Sequence, residues 1–211
     1  MRLIGQSFCL LVLLGGLASA TTVNCTVVSG PTELSNSIVC PQFSGVGLQS
    51  VQITVSGDIT GSIMLMNNAT TTESTQGTTS SDFSIGPLAG FSFGAPIFTA
   101  MYTTGPQSLT AGQSQTFSGL KGSGMKDLGT DTAVLAPYMG AGSFTIDVST
   151  LTSLVITGGG GHIGSSQSTS ADATAVVTYT AGTSTPEPLT ASLIGLGLCG
   201  LGLLQAKKFR S

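Results

Sequence analysis

The chain has no tryptophan, three tyrosines, one histidine and only six lysines and arginines in 211 residues. Each scarcity removes a class of function. Sugar-binding β-domains stack their ligands on exposed Trp or Tyr, which combine a flat apolar face with a polar edge. Only Tyr102, Tyr138 and Tyr179 are available here, which weakens a carbohydrate-binding reading and leaves it as the alternative. The lone histidine, His162, stands in Gly160-Gly161-His162-Ile163-Gly164, with no second histidine at helical spacing and no cysteine nearby. That arrangement lacks the spacing of a zinc site and reads as a surface turn. No serine lies in a nucleophile-elbow pattern, and the acids are spread singly rather than paired for acid–base work. The expectation is a non-enzymatic protein with no metal and no cofactor.

Positive charge is nearly absent from the body of the chain. Arg2, Lys207, Lys208 and Arg210 lie at the two ends, which leaves Lys121 and Lys126 against eight carboxylates, a formal net charge of −6. Such a domain cannot neutralise a phosphate backbone, so nucleic acid is excluded as a partner. The remaining surface must be Ser, Thr, Asn, Gln and Gly.

The ends carry what the body lacks. At the N-terminus Arg2 precedes an apolar stretch over residues 3–17 and then Ala18-Ser19-Ala20. This is the order of a signal peptide, residues 1–20, with small residues at Ala18 and Ala20 placing the cut after Ala20. At the C-terminus Pro186-Glu187-Pro188 precedes an uncharged apolar run, residues 189–204, and then Lys207, Lys208 and Arg210. Two prolines within three residues stop any helix or strand. The run makes a helix of ~24 Å, and two further residues with snorkelling lysine stems complete a single transmembrane span over 189–206. Basic residues beyond it, 207–211, place that end in the cytoplasm and the domain outside. Cys9 and Cys199 fall in the end segments, so the exported domain holds two cysteines, Cys25 and Cys40. An even count in an oxidising compartment implies a disulfide, expected on or beside adjacent early strands and contributing about 3 kcal/mol.

Between the ends, residues 21–180 read as one β-domain followed by a linker over 181–188. Residues 23–29 and 37–39 are short β-rich pieces around the turn signal Gly30-Pro31. Residues 50–56 alternate cleanly, with Val51, Ile53 and Val55 on one face. Gly57-Asp58 reads as a turn, residues 59–66 as the return strand, and Gly61 as a bulge. Residues 67–82, rich in Thr and Ser, read as a long surface loop or ragged edge strands. Phe91, Phe93, Phe98 and Tyr102 are expected in the core, and residues 119–130 in an exposed loop. Phe144, Ile146 and Val148 define another strand, and Ala173, Ala175, Val177 and Tyr179 the last. Short alternating strands with Gly-rich turns specify an all-β, antiparallel, Greek-key-like β-sandwich. Asp127-Leu128-Gly129-Thr130-Asp131 is a loose calcium cue without spaced ligands or a closing Glu, and reads as a solvated turn. Asn24-Cys25-Thr26 and Asn68-Ala69-Thr70 match an Asn-x-Thr pattern that a Thr-rich chain produces by chance.

Two resemblances rest on these residues. Pro186-Glu187-Pro188, the short span and the basic terminus together resemble the PEP-CTERM sorting tail of Gram-negative bacteria, which is processed by the membrane protease called exosortase. The stretch 48–57 with Phe43 and residues 59–67, and the blocks 144–154 and 158–179, resemble the choice-of-anchor E family of surface β-domains. The spacing from Phe43 to Leu48 is shorter than that family's pattern, and Cys25 and Cys40 lie outside it. The resemblances imply an exported, non-enzymatic protein of the cell surface or extracellular matrix, associated with exopolysaccharide and biofilm. They imply an inner-membrane precursor and an exosortase-type protease as partners.

Overall fold

In the computed structural model the described residues are 18–182 except Thr32, and most of them are strand. The chain forms β1 (Ser19–Asn24), β2 (Val28–Pro31), β3 (Ser35–Pro41), β4 (Leu48–Asn67), β5 (Glu73–Ile85), β6 (Phe98–Thr103), β7 (Gln107–Leu109), β8 (Ser114–Asp131), β9 (Ser143–Gly158) and β10 (Ile163–Ala181). Two three-residue 3₁₀ turns, Ala136–Tyr138 and Gly159–Gly161, are the helical elements among the described residues. None of these residues forms a helix long and apolar enough to cross a membrane. The expected span over 189–206 lies outside them.

Two five-stranded antiparallel sheets face each other in a β-sandwich-like arrangement. One has the order β1-β10-β4-β8, with β2 also on β10; the other is β3-β9-β5-β6, with β7 also on β5. Ala20–Ala181 form one compact unit. The alternation in the sequence becomes the two sheet faces, because successive side chains on a strand point opposite ways. Val51, Ile53, Val55, Ile59, Ile63 and Leu65 of β4 point inward, as do Ala171, Ala173, Ala175, Val177 and Tyr179 of β10. Ile146 and Val148 of β9 answer from the facing sheet, with Phe144 partly buried beside them. Of the four aromatics expected in the core, Tyr102 is buried, while Phe91, Phe93 and Phe98 are partly buried and pack against it.

Several expectations are corrected. Gly57-Asp58 is not a turn: β4 continues through it, with Gly57 paired to Ala173 and Asp58 to Asp172. The glycine answers a packing need. A Cβ at Gly57 would run into the Phe83 ring, and a Cβ at its partner Gly124 would lie 2.5 Å from Phe98. Phe83 and Phe98 stack at 4.7 Å between centroids and fill the space the two glycines leave. Of residues 67–82 only 68–72 form a loop: the rest of the stretch from Glu73 is β5, an interior strand whose Thr75, Gly77, Thr79, Ser81 and Phe83 face inward. Its buried hydroxyls are satisfied locally and across the sandwich: Thr79 donates to Gln167 Oε1 at 2.8 Å, and Ser81 bonds Thr152 Oγ1 at 2.8 Å.

Residues 119–130 are strand β8 rather than a loop. The irregularity expected at Gly61 is present, but the extra residue sits on β8. From Gly61 to Ile63 the partner moves from Leu120 to Phe117, around Gly119 at φ 70°. A second bulge lies between Gln52 and Thr54, around Gly129 at φ 94°. Gly30-Pro31 belongs to β2, and the chain reverses after it, where Glu33 takes φ 69°. Residues 25–27 interrupt the expected first strand. β10 runs to Ala181, so the first residue of the expected linker is strand.

Candidate functional site

β10 ends at Tyr179-Thr180-Ala181, and β1 leaves from beside it, since Cys25 N–H donates to Ala175 O and Thr22 bonds Thr178. Both chain ends therefore depart from one end of the sandwich. Three loops meet there. Loop 42–47 joins β3 to β4, loop 86–97 joins β5 to β6, and loop 132–142 joins β8 to β9.

Aromatic rings hold these loops together. Tyr138 stands at the centre, edge-on to Phe91 at 6.1 Å and to Phe144 at 5.0 Å, and its hydroxyl donates to Ala89 O. Phe43 packs on Tyr179 at 5.5 Å, and the Tyr179 hydroxyl donates to Pro41 O at 2.6 Å. Backbone bonds complete the seam: Phe43 N–H to Tyr138 O at 2.8 Å and Gly140 N–H to Phe43 O at 3.0 Å. Burial pushes the Tyr138 phenol up to about 12, helped by the negative charge of Asp131 and by Tyr179; burial alone lifts Tyr179 to about 12. Both stay neutral at physiological pH and serve as hydrogen-bond donors.

Asp131 is buried beneath this floor and accepts from the amides of Ala133 at 2.9 Å and Val134 at 3.0 Å. Above it, the loops carry no Asp, Glu, Lys, Arg or His. They present Val46 at 81% exposure, Val134 at 43% and Met139 at 41%. Charged residues border the loops: Asp147 packs beside Gly86 at the start of one, and Lys126 and Asp127 flank residues 92–97 at the side. The opposite end, formed by loops 68–72, 110–113 and 159–162, holds only small or polar residues. Charge depletion in three separate loops was legible in the sequence, but nothing there showed that the loops converge.

The structure also places the residues singled out in the sequence. Cys25 and Cys40 are joined, with Cα atoms 4.4 Å apart. Cys25 lies just after β1 of one sheet and Cys40 in β3 of the other, so the bond ties the two sheets together. Ala18 and Ala20 are exposed, with Ala20 in β1. Pro186, Glu187, Pro188, Lys207, Lys208 and Arg210 lie outside the described residues.

His162 is exposed after the Gly159–Gly161 turn, where its N–H donates to Gly159 O. Asp127 accepts from Gln52 Nε2 at 2.8 Å and from Gly129 N at 2.9 Å, so it holds the second β8 bulge. Asp131 faces the interior, away from Asp127's exposed position. The acids are not all single: Asp58 and Asp172 are direct cross-strand partners on an outer face, two residues along from the Thr60–Lys121 pair. Among the described residues no three His, Cys, Asp or Glu side chains are grouped to hold a metal. All three tyrosines are buried, Tyr102 with its hydroxyl 2.6 Å from Thr169 Oγ1. None is a free stacking platform.

No family model and no curated protein matches the chain. Among solved structures, a chain of the infectious bursal disease virus Gt strain is 11% identical with a TM-score of 0.19, covering 89% of this chain and 48% of that one. A chain of the T13 particle of the same virus is 10% identical at 0.20, covering 83% and 41%. The parasporin-2 toxin of Bacillus thuringiensis, described as recognising cancer cells, is 14% identical at 0.23, covering 80% and 72%. The chain spans less than half the length of these viral chains. Likeness at this level carries no argument.

Proposed function

We propose that this is an exported, non-enzymatic protein of the cell surface or extracellular matrix, delivered through a PEP-CTERM-type sorting tail. The observation that carries the reading is the ordered tail itself: Pro186-Glu187-Pro188, the apolar run 189–204, then Lys207, Lys208 and Arg210. The cross-sheet disulfide is compatible with an oxidising compartment. The outer sheet faces carry many Ser, Thr, Gln and Asp side chains, beside exposed Met101, Met125, Leu151 and Val155, and the polar majority suits a hydrated matrix rich in exopolysaccharide. An exosortase-type protease and the inner membrane are the partners of the precursor, and the bacterium is Gram-negative.

The test is localisation with mass spectrometry of the mature C-terminus. Wild-type chain should lose the segment after the tripeptide and leave the inner membrane, whereas Glu187→Ala should accumulate there at full length. A plain tail anchor would ignore this change, because Glu187 precedes the apolar run. Wild-type protein intact through Ser211 in the inner membrane, with the variant distributed identically, would refute the sorting reading. Glycan-array binding by the exported protein would instead favour the carbohydrate-binding alternative.

A further inference from the structure

We infer that the charge-free end of the sandwich is a membrane-facing surface, and that Val46, Val134 and Met139 enter the boundary between headgroups and acyl chains while the precursor is anchored. The inference rests on the tail reading and adds to it an orientation and a lipid contact.

Three observations converge. The first is chemical. Desolvating a charge at a bilayer surface is costly, whereas apolar side chains gain from entering it. Loops 42–47, 86–97 and 132–142 contain no charged residue and expose Val46, Val134 and Met139. The second is electrostatic. The exported domain carries a formal charge of −6, so an anionic leaflet repels it on every side that shows carboxylates. Asp58, Asp172 and Asp82 lie on strands away from these loops, and the carboxylates that border the end, Asp127 next to Lys126 and Asp147 beside Gly86, sit at its sides. The charge-free end is where that repulsion is weakest.

The third is the course of the chain. β10 ends at Ala181 on this end, and the apolar run begins at Leu189. Eight residue steps reach at most about 28 Å when fully extended. A tether that short keeps the end from which it leaves close to the lipid. The opposite end would need the domain to turn over on the same tether, and it offers only Asn, Thr, Gln, Gly, Ala and His162 in its loops.

The absence of tryptophan supplies the probe. Val46→Trp and Met139→Trp would each place the sole tryptophan, excited selectively over the three tyrosines, at the proposed contact, and Leu151→Trp, at a position 67% exposed on an outer sheet face, is the control. All three positions are exposed enough to accept the ring without repacking the core. Each full-length chain is reconstituted into phosphatidylethanolamine–phosphatidylglycerol vesicles, with and without brominated acyl chains, and flotation is scored alongside emission. The expected result is co-flotation, blue-shifted emission, and loss of fluorescence to bromolipid for Val46→Trp and Met139→Trp. Leu151→Trp should show neither shift nor loss.

Co-flotation with all three fluorophores unquenched would overturn the orientation and leave the tail reading standing. Shielding of the two probes without loss to bromolipid would also overturn it, and would assign the surface to a second copy of the chain. A chain that fails to float overturns the tail reading and this inference with it.

Discussion

At the scale of single residues, the sandwich depends on where side chains are omitted. Gly57 and Gly124 face each other across β4 and β8, and the stacked Phe83 and Phe98 occupy the room they leave. Neither glycine has a positive φ, so neither is there for a turn. Gly57→Leu should therefore destabilise by at least ~1–3 kcal/mol through overpacking, read as a lower urea midpoint. Pairing Gly57→Ala with Phe83→Leu should recover part of the loss, because the two sites share one space; additive losses would contradict this account. The tyrosines give a second test. Tyr138 and Tyr179 have folded-state pKa values of about 12 against an ordinary 10.0. The folded state holds its phenolic protons more tightly than the unfolded chain, so this contribution to stability is complete below pH 10 and is lost as pH rises towards 12. Urea midpoints should fall over that window, and phenolate absorbance should appear together with unfolding. Tyr179→Phe should make the fall shallower.

At the scale of elements, β8 is an 18-residue edge strand of its sheet. A long free edge invites pairing with another chain, and proteins blunt such edges with lysines and bulges. Both lysines of the sandwich, Lys121 and Lys126, lie on β8, as do both glycine bulges, Gly119 and Gly129. In a domain otherwise without positive charge, that placement reads as protection of the edge. The double variant Lys121→Val/Lys126→Val should keep its fold, since exposed substitutions typically change stability by about 0.5 kcal/mol or less. It should self-associate with rising concentration in sedimentation velocity, while wild type stays unassociated under the same conditions.

At the scale of the whole molecule, the two sheets are held together by buried hydrogen bonds and one covalent tie. Tyr102 reaches Thr169, and Thr79 reaches Gln167, from one sheet to the other. Among the described residues no buried side-chain polar atom lacks a partner. The Cys25–Cys40 disulfide joins the peripheral segment between β1 and β2 to β3 of the facing sheet. Closing a loop of 15 residues restricts the unfolded chain by about 3 kcal/mol. Cys25→Ser/Cys40→Ser should therefore lower stability by ~2–4 kcal/mol, with amide exchange rising first in β1 and β2. Uniform loss of protection across all ten strands would show instead that β1 and β2 are as firmly held as the core.

What the sequence determined by itself was local. Period-2 alternation at Val51/Ile53/Val55, Phe144/Ile146/Val148 and Ala173/Ala175/Val177/Tyr179 specified inward faces, because a strand shows its two sides in consecutive residues. The cysteine count specified the pairing of Cys25 with Cys40, and the order of residues at the C-terminus specified the sorting expectation. Tertiary structure decided what depends on a facing partner. β5 carries Thr, Gly, Thr and Ser at its inner positions, so no contrast in hydrophobicity marked it; only the facing sheet, with Gln167 in reach, makes those positions interior. Gly57 looks the same in sequence whether it serves a reversal or the close approach of a ring, and Phe83 settles which. Asp58 and Asp172 became neighbours through strand register, across 114 residues of sequence. The charge-free end exists because three loops distant in sequence close over Tyr138, where ring packing and backbone hydrogen bonds outweigh the entropy of ordering them.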